Sequence, residues 1–153
     1  MCNSITANPH EPQGGRFHSN GGMTLNLPPH RTTYDHVDAW DPLTGKRAWS
    51  VAYQFPLLAS MLATAGDLVF TGDPEGNFFA LDARNGSKLW SFNTGAGHRG
   101  SAISYSVNGR QYVATPRGWQ GSITGGFIAS QFPDQTFRTG AALLAFALPE
   151  GSK

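Results

Sequence analysis

Cysteine is almost missing from this chain of 153 residues. Cys2 stands alone, which excludes an internal disulfide framework and any zinc site built on thiolates. Excess charge of one sign is missing too. Eleven Lys and Arg against ten Asp and Glu leave a formal charge of +1, too little to form the cationic footprint of a protein that binds nucleic acid or an anionic membrane. No apolar run approaches the ~18 residues of a spanning helix, so no membrane span is expected. Met1 to His10 has neither the basic nor the apolar region of a secretion signal, and none is expected at this end. Sustained 3.6-residue periodicity is also absent, which predicts a mostly β chain.

Glycine, proline and aromatics are plentiful. The sequence holds 19 Gly, 10 Pro, 10 Phe and 4 Trp, enough apolar bulk for a core and many turns. It also repeats. Ala39-Trp40-Asp41-Pro42-Leu43-Thr44-Gly45-Lys46-Arg47-Ala48-Trp49-Ser50 aligns with Ala80-Leu81-Asp82-Ala83-Arg84-Asn85-Gly86-Ser87-Lys88-Leu89-Trp90-Ser91 at an offset of 41, and Ala, Asp, Gly, Trp and Ser coincide. A period near 40 with about four short strands per unit is that of a propeller blade. Leu68 to Thr71 and Asn77 to Leu81 flank Gly72-Asp73-Pro74-Glu75-Gly76 and predict one hairpin. Ile103 to Val107 and Gln111 to Thr115 flank Asn108-Gly109 and predict another, because both central positions of a type I′ turn need positive φ. Lys88 to Asn93 supplies a further strand.

A weaker third copy, Leu143 to Lys153, matches Phe78 to Lys88 at an offset of 65, with Ala147 in place of the Asp. The added length falls in a Gly-rich insertion, 116–139, holding Gly118, Gly121, Gly125 and Gly126. The organisation expected is therefore an irregular connecting segment over 1–34 from a preceding blade, blades over 35–148, and a tail, 149–153, that stops before the third Trp. The fold class expected is all-β: about two four-stranded antiparallel blades plus partial strands of a larger propeller.

Each fixed residue of the repeat has a physical task. The small Ala lets a flat ring lie close to the strand. Asp accepts hydrogen bonds from backbone amides of the turn that follows, and Gly takes a left-handed conformation that a Cβ resists. Trp offers up to about 250 Å² of burial and an indole N–H for a carbonyl of the adjacent blade. The repeat is a device for docking one blade on the next.

These residues resemble the tryptophan-docking motif of quinoproteins. The likeness extends through Leu62 to Gly72, Glu75-Gly76-Asn77, Ala80-Leu81-Asp82, Gly86, Leu89-Trp90, Thr94-Gly95 and Gly109 to Ala114, ending at Gly118-Trp119. It is a resemblance to the C-terminal blades of PQQ-dependent alcohol and methanol dehydrogenases, over roughly 35–148. It implies an eight-bladed periplasmic propeller holding pyrroloquinoline quinone and Ca²⁺ or a lanthanide. In that family the alcohol's hydride goes to the quinone C5 carbon, an Asp is the general base, and the metal polarises the carbonyl oxygen. The resemblance places the metal ligands and the base on blades N-terminal to this chain, so no catalytic or metal residue is assigned here. It makes Trp119 the candidate cofactor contact and Gly118 the residue that allows close backbone approach. The partners it implies are the remaining blades, a small alcohol and a cytochrome-type electron acceptor. One departure stands out: where many members carry Trp after Phe-Pro, here Phe55-Pro56 leads to Leu58.

Other features carry milder readings. His10, His18, His30, His36 and His98 have no accompanying Cys and are expected as loop histidines, His98-Arg99 either facing the axial pocket or lying in an ordinary blade connection. Asp73-Pro74-Glu75-Gly76-Asn77 lacks the alternating ligands of a calcium loop and reads as a hairpin tip. Arg117 beside Trp119 either stands near an acidic cofactor or is solvated. Two rival functions remain: a non-enzymatic quinoprotein-like propeller acting as a scaffold, and a WD-type interaction propeller, which the position of Trp40-Asp41 at the start of a motif disfavours.

Overall fold

The computed structural model describes residues 32–119 and 128–147, together with the backbone of two strands nearer the start. Eleven strands, all paired antiparallel, account for most of it. They are β1 Cys2–Ala7, β2 Gly21–Asn26, β3 Asp35–Trp40, β4 Arg47–Tyr53, β5 Leu62–Ala63, β6 Leu68–Gly72, β7 Asn77–Asp82, β8 Lys88–Asn93, β9 Ile103–Val107, β10 Arg110–Arg117 and β11 Ala142–Ala147. A single helical turn covers 128–131.

These strands form a complete four-stranded sheet, β5-β6-β7-β8, with β3-β4 before it and β11-β10-β9 after it; β1-β2 form a separate pair. The expected pair of four-stranded blades thus resolves into one full blade between sheets of two and three strands. The β1-β2 pairing also lies within the segment expected to be irregular. Met23-Thr24-Leu25-Asn26 does alternate apolar with polar, but over a span too short to stand out among the surrounding Gly, Pro and His. The hairpins fall where the turn chemistry puts them. Asn108 and Gly109 both have positive φ, 51° and 75°, and hold Gln111 opposite Ser106 and Tyr112 opposite Tyr105. β10 runs two residues into the expected insertion, through Pro116 and Arg117.

The full blade is buried on both faces at β7, since side chains alternate across a strand. Phe79 and Leu81 face the preceding sheet, where with Val37 they form a core joined by Trp49, Tyr53, Leu57 and Val69; Tyr53 stacks on Phe79 at 5.7 Å. Phe78, on the other face, stacks on Phe70 at 5.9 Å and on Phe146 of β11 at 5.7 Å. Trp90 meets Phe146 edge-on at 5.2 Å. Each fully buried Phe or Leu contributes about 1.5–3 kcal/mol, so two aromatic junctions, one on each face of β7, hold the three sheets together.

The repeat performs the expected docking. Trp49 Nε1 donates to the Ala83 carbonyl in the next sheet at 2.8 Å. Its ring lies against Gly86 so closely that a Cβ there would stand 2.7 Å from Trp49 Cε3, so this Gly is needed both for its φ of 76° and for the space. Ala39 and Ala80 sit directly opposite Trp49 and Trp90 in the strand register. Asp41 Oδ1 accepts from the Leu43 amide and Oδ2 from the Thr44 hydroxyl, each at 2.8 Å; the Thr44 hydroxyl first and that amide second hold the carboxyl below its usual range. Asp82 does the same with Arg84, through the backbone amide at 2.8 Å and the guanidinium at 3.0 and 2.8 Å. Both Asp residues serve turns. The carbonyl that the offset of the third copy would assign to Trp90 is that of Leu148, outside the described residues.

Candidate functional site

In an up-and-down blade the connection from the second to the third strand and the one leading to the next blade emerge at the same end. The segments 54–61, 73–76, 94–102 and the described parts of the β10–β11 connection, 118–119 and 128–141, therefore converge. Their contacts confirm it. Ser101 Oγ donates to Ser60 Oγ at 3.0 Å, the Thr94 amide donates to the Gly76 carbonyl at 2.8 Å, and the Gly118 amide donates to the Gly97 carbonyl at 2.8 Å. Phe55, itself buried, meets Phe132 and Phe137 edge-on at 5.0 and 5.4 Å, and Phe137 lies 5.5 Å from Trp119.

Gly118 and Trp119 are both part of this cluster. Gly118 has φ 155°, and a Cβ there would lie in ordinary van der Waals contact with Ala141 at 3.8 Å. Trp119 is only 4 % exposed, with its ring packed close to Gly97, where a Cβ would come within 2.8 Å of Cε3, and tilted against Phe137 at 5.5 Å. Its Nε1–H is buried without a hydrogen-bond partner. A buried donor left unpaired costs about 1–3 kcal/mol, so the indole edge is a place where an oxygen acceptor would be bound favourably. Arg117 Nε is buried and unpaired as well, while its Nη1 donates to the Thr94 carbonyl. Arg117 is therefore a part-buried cation tied to the junction and not a freely solvated one.

His98 is neither a pocket wall nor an ordinary loop residue. It is fully buried between the end of β6 and β10. Its Nδ1 lies 3.2 Å from the Pro116 carbonyl, which can only accept, so the proton belongs on Nδ1; Nε2 faces the Thr94 hydroxyl at 2.9 Å. Its amide donates to the Asp73 carbonyl at 3.0 Å. Gly72 makes room for the ring, since a Cβ there would be 2.5 Å from His98 Cγ. Reading the sequence alone does not reveal this junction, although the Gly residues at 95, 97 and 100 around His98 signal tight packing.

Burial holds the His98 pKa below its ordinary 6.5, outweighing the Pro116 carbonyl and the Asp73 charge, which raise it; the Arg117 charge lowers it further. The unfolded chain then binds a proton near pH 6.5 while the folded ring does not, so stability is full above that pH and falls as pH drops toward the folded value. Urea midpoints for His98→Asn are expected to lose less between pH 7 and 5 than those of the unsubstituted chain. Equal losses would remove His98 as the source.

Among the described residues no three His, Cys, Asp or Glu side chains come together as a metal-holding group, and no helix is long and apolar enough to cross a membrane.

Comparison with known proteins bears on this architecture directly. The PQQ family model "Glucose/ethanol/alcohol dehydrogenase, beta-propeller domain" matches residues 50–113. Quinoprotein alcohol dehydrogenase PedH of Pseudomonas putida is 41 % identical over 114 residues, 73 % of this chain and 19 % of that protein. The chain belongs to the quinoprotein alcohol dehydrogenase family. A second relative in this family, 1-butanol dehydrogenase (cytochrome c) of Thauera butanivorans, is 35 % identical over 130 residues, covering 84 % of this chain and 18 % of its own length. Among solved structures, a europium-containing methanol dehydrogenase superposes with a TM-score of 0.70 at 30 % identity, covering 84 % of this chain and 26 % of that one. The chain thus spans about a fifth of the length of these curated quinoproteins, and its sheets are propeller blades. Within the quinoprotein frame, Leu58 lines an open cleft of about 530 Å³ with Tyr34, His36, Arg47 and Ser50 on the side of β3-β4 that faces away from the full blade.

Proposed function

We propose that this chain is the C-terminal part of a PQQ-dependent alcohol dehydrogenase that oxidises primary alcohols, and that it is inactive alone. The observation that carries this reading is the Trp49–Ala83 clamp, set beside a segment, 50–113, that the PQQ propeller model matches. The relatives support it by their names, an alcohol dehydrogenase and a cytochrome c-linked butanol dehydrogenase among them. A clamp of this kind, repeated at a blade's interval, suits neighbouring blades of a propeller.

The residues present suit an acidic, oxygen-rich planar quinone in one respect. Trp119 Nε1–H and Arg117 Nε–H are buried donors without acceptors. In this reading Trp119 contributes its unpaired N–H edge. When bound, pyrroloquinoline quinone accepts the hydride of the alcohol. The ligands of a Ca²⁺ or lanthanide ion, like the general base, belong in this reading to the other blades. A cytochrome-type acceptor and a periplasmic location complete the proposal.

Supplied with PQQ and Ca²⁺, this polypeptide is expected to show no alcohol-dependent dye reduction, whereas the complete protein containing it reduces dye. Turnover by the 153-residue chain would refute the claim that it is inactive alone. Failure of the complete protein to bind PQQ would favour the scaffold reading.

A further inference from the structure

We propose that His98 is a positioning residue for Trp119: it fixes the 94–98 segment on which the Gly118–Trp119 turn rests. The inference builds on the cofactor reading of Trp119 but is carried by separate geometry. Gly97 is the seat of the turn, since its carbonyl accepts from the Gly118 amide at 2.8 Å and its Cα side lies under the Trp119 ring. The same side of Gly97 is confined by the 73–76 turn, because a Cβ there would also stand 2.6 Å from the Pro74 carbonyl oxygen. The segment therefore packs against both the 73–76 turn and Trp119.

His98, the next residue, anchors that segment at three points. Its amide is bonded to Asp73 at 3.0 Å, which ties the segment to the 73–76 turn. Its Nε2 contact with the Thr94 hydroxyl, 2.9 Å, closes the 94–98 segment on itself. Its Nδ1 contact with the Pro116 carbonyl, 3.2 Å, ties it to β10 two residues before Gly118. The ring also packs on Phe78 at 5.5 Å, so the turn inherits its position from the aromatic junction of the blades. A displaced Gly97 would move Trp119, because atoms this closely packed transmit strain.

The test is hydrogen exchange on the full chain, followed at the Gly118 amide and the Trp119 and Trp49 indole N–H groups. His98→Phe keeps bulk and removes both ring bonds; His98→Asn retains a donor where Nδ1 stood. His98→Phe is expected to speed exchange at Gly118 and Trp119 roughly tenfold or more while Trp49, bonded at the other junction, stays within about twofold. His98→Asn is expected to restore most of the protection. Unchanged exchange at Gly118 and Trp119, or equal acceleration at Trp49, would overturn the proposal. If His98→Phe does not fold, Thr94→Val removes the Nε2 partner, together with the hydroxyl's contacts to the Gly76 and Ala96 carbonyls at 3.0 and 3.1 Å, and must speed Gly118 exchange while leaving Trp49 exchange within about twofold for the proposal to stand. A PQQ titration separates the two readings. In the complete protein, PQQ that leaves Trp119 exchange unchanged without any substitution sinks the cofactor contact without touching the positioning role. PQQ that slows it equally in His98→Phe sinks the positioning role.

Discussion

Phe78→Ala is expected to lower folding stability by about 4 kcal/mol, the range for truncating a fully buried aromatic. Phe78 is 1 % exposed and is the hub of the junction between the full blade and the sheet that follows. Its ring touches Phe70 at 5.9 Å, Phe146 at 5.7 Å, Trp90 at 6.2 Å and His98 at 5.5 Å. Removing it opens a cavity between two sheets whose backbones are fixed by their own ladders, so collapse around the void is limited. With a urea slope of ~2 kcal/mol/M, the midpoint should fall by about 2 M. Phe78→Leu, which retains much of the volume, is expected to cost under half as much. If alanine and leucine cost the same, the ring contacts are not what holds the junction.

Trp49→Ala is the second large effect, expected at about 3 kcal/mol because the ring is partly exposed. Two contributions can be separated. Trp49→Phe keeps a ring over Gly86 and the Val37–Phe79–Leu81 core but deletes the N–H donated to Ala83, and should cost about 1 kcal/mol. Gly86 sets the opposite constraint, since its φ of 76° and the closeness of Trp49 both resist a side chain. The two junctions lie on opposite faces of β7, so the losses from Trp49→Phe and Phe78→Leu should add. Strong coupling between them, read by a double-mutant cycle in urea, would mean that the sheets move as one block.

Much of this architecture is legible in the residues. The repeat announces the Trp49 clamp because every member of the motif acts within about eleven residues or at one blade's offset. Asn108-Gly109 sets its turn through φ alone, a local property. The site is legible only in part. Gly118 and Trp119 can be picked out by family likeness, but the burial of the Trp119 ring depends on Gly97 and Phe137, which no local pattern links to it. His98 is harder still: its partners come from the ends of β6, β8 and β10, and a histidine in a Gly-rich connection looks the same whether it is solvated or enclosed. The Phe55–Phe132–Phe137 cluster escapes for a similar reason, since two of its members lie in an insertion without periodicity. Position 58 shows the converse, where a departure from the family is visible in sequence but only the fold locates it on a cleft.

Arg117 and Ala142 are register partners, as are Pro116 and Leu143. The two ends of the Gly-rich insertion are thus held side by side by the β10–β11 ladder, to which the insertion itself contributes only Pro116 and Arg117. Added chain between them incurs only the slowly rising entropy of a longer closed loop, about 0.6 kcal/mol for each doubling. This is where the molecule can grow without disturbing its clamps. A guest peptide or small reporter domain spliced there should leave the ladders on either side intact, and natural variation in length should collect at the same place.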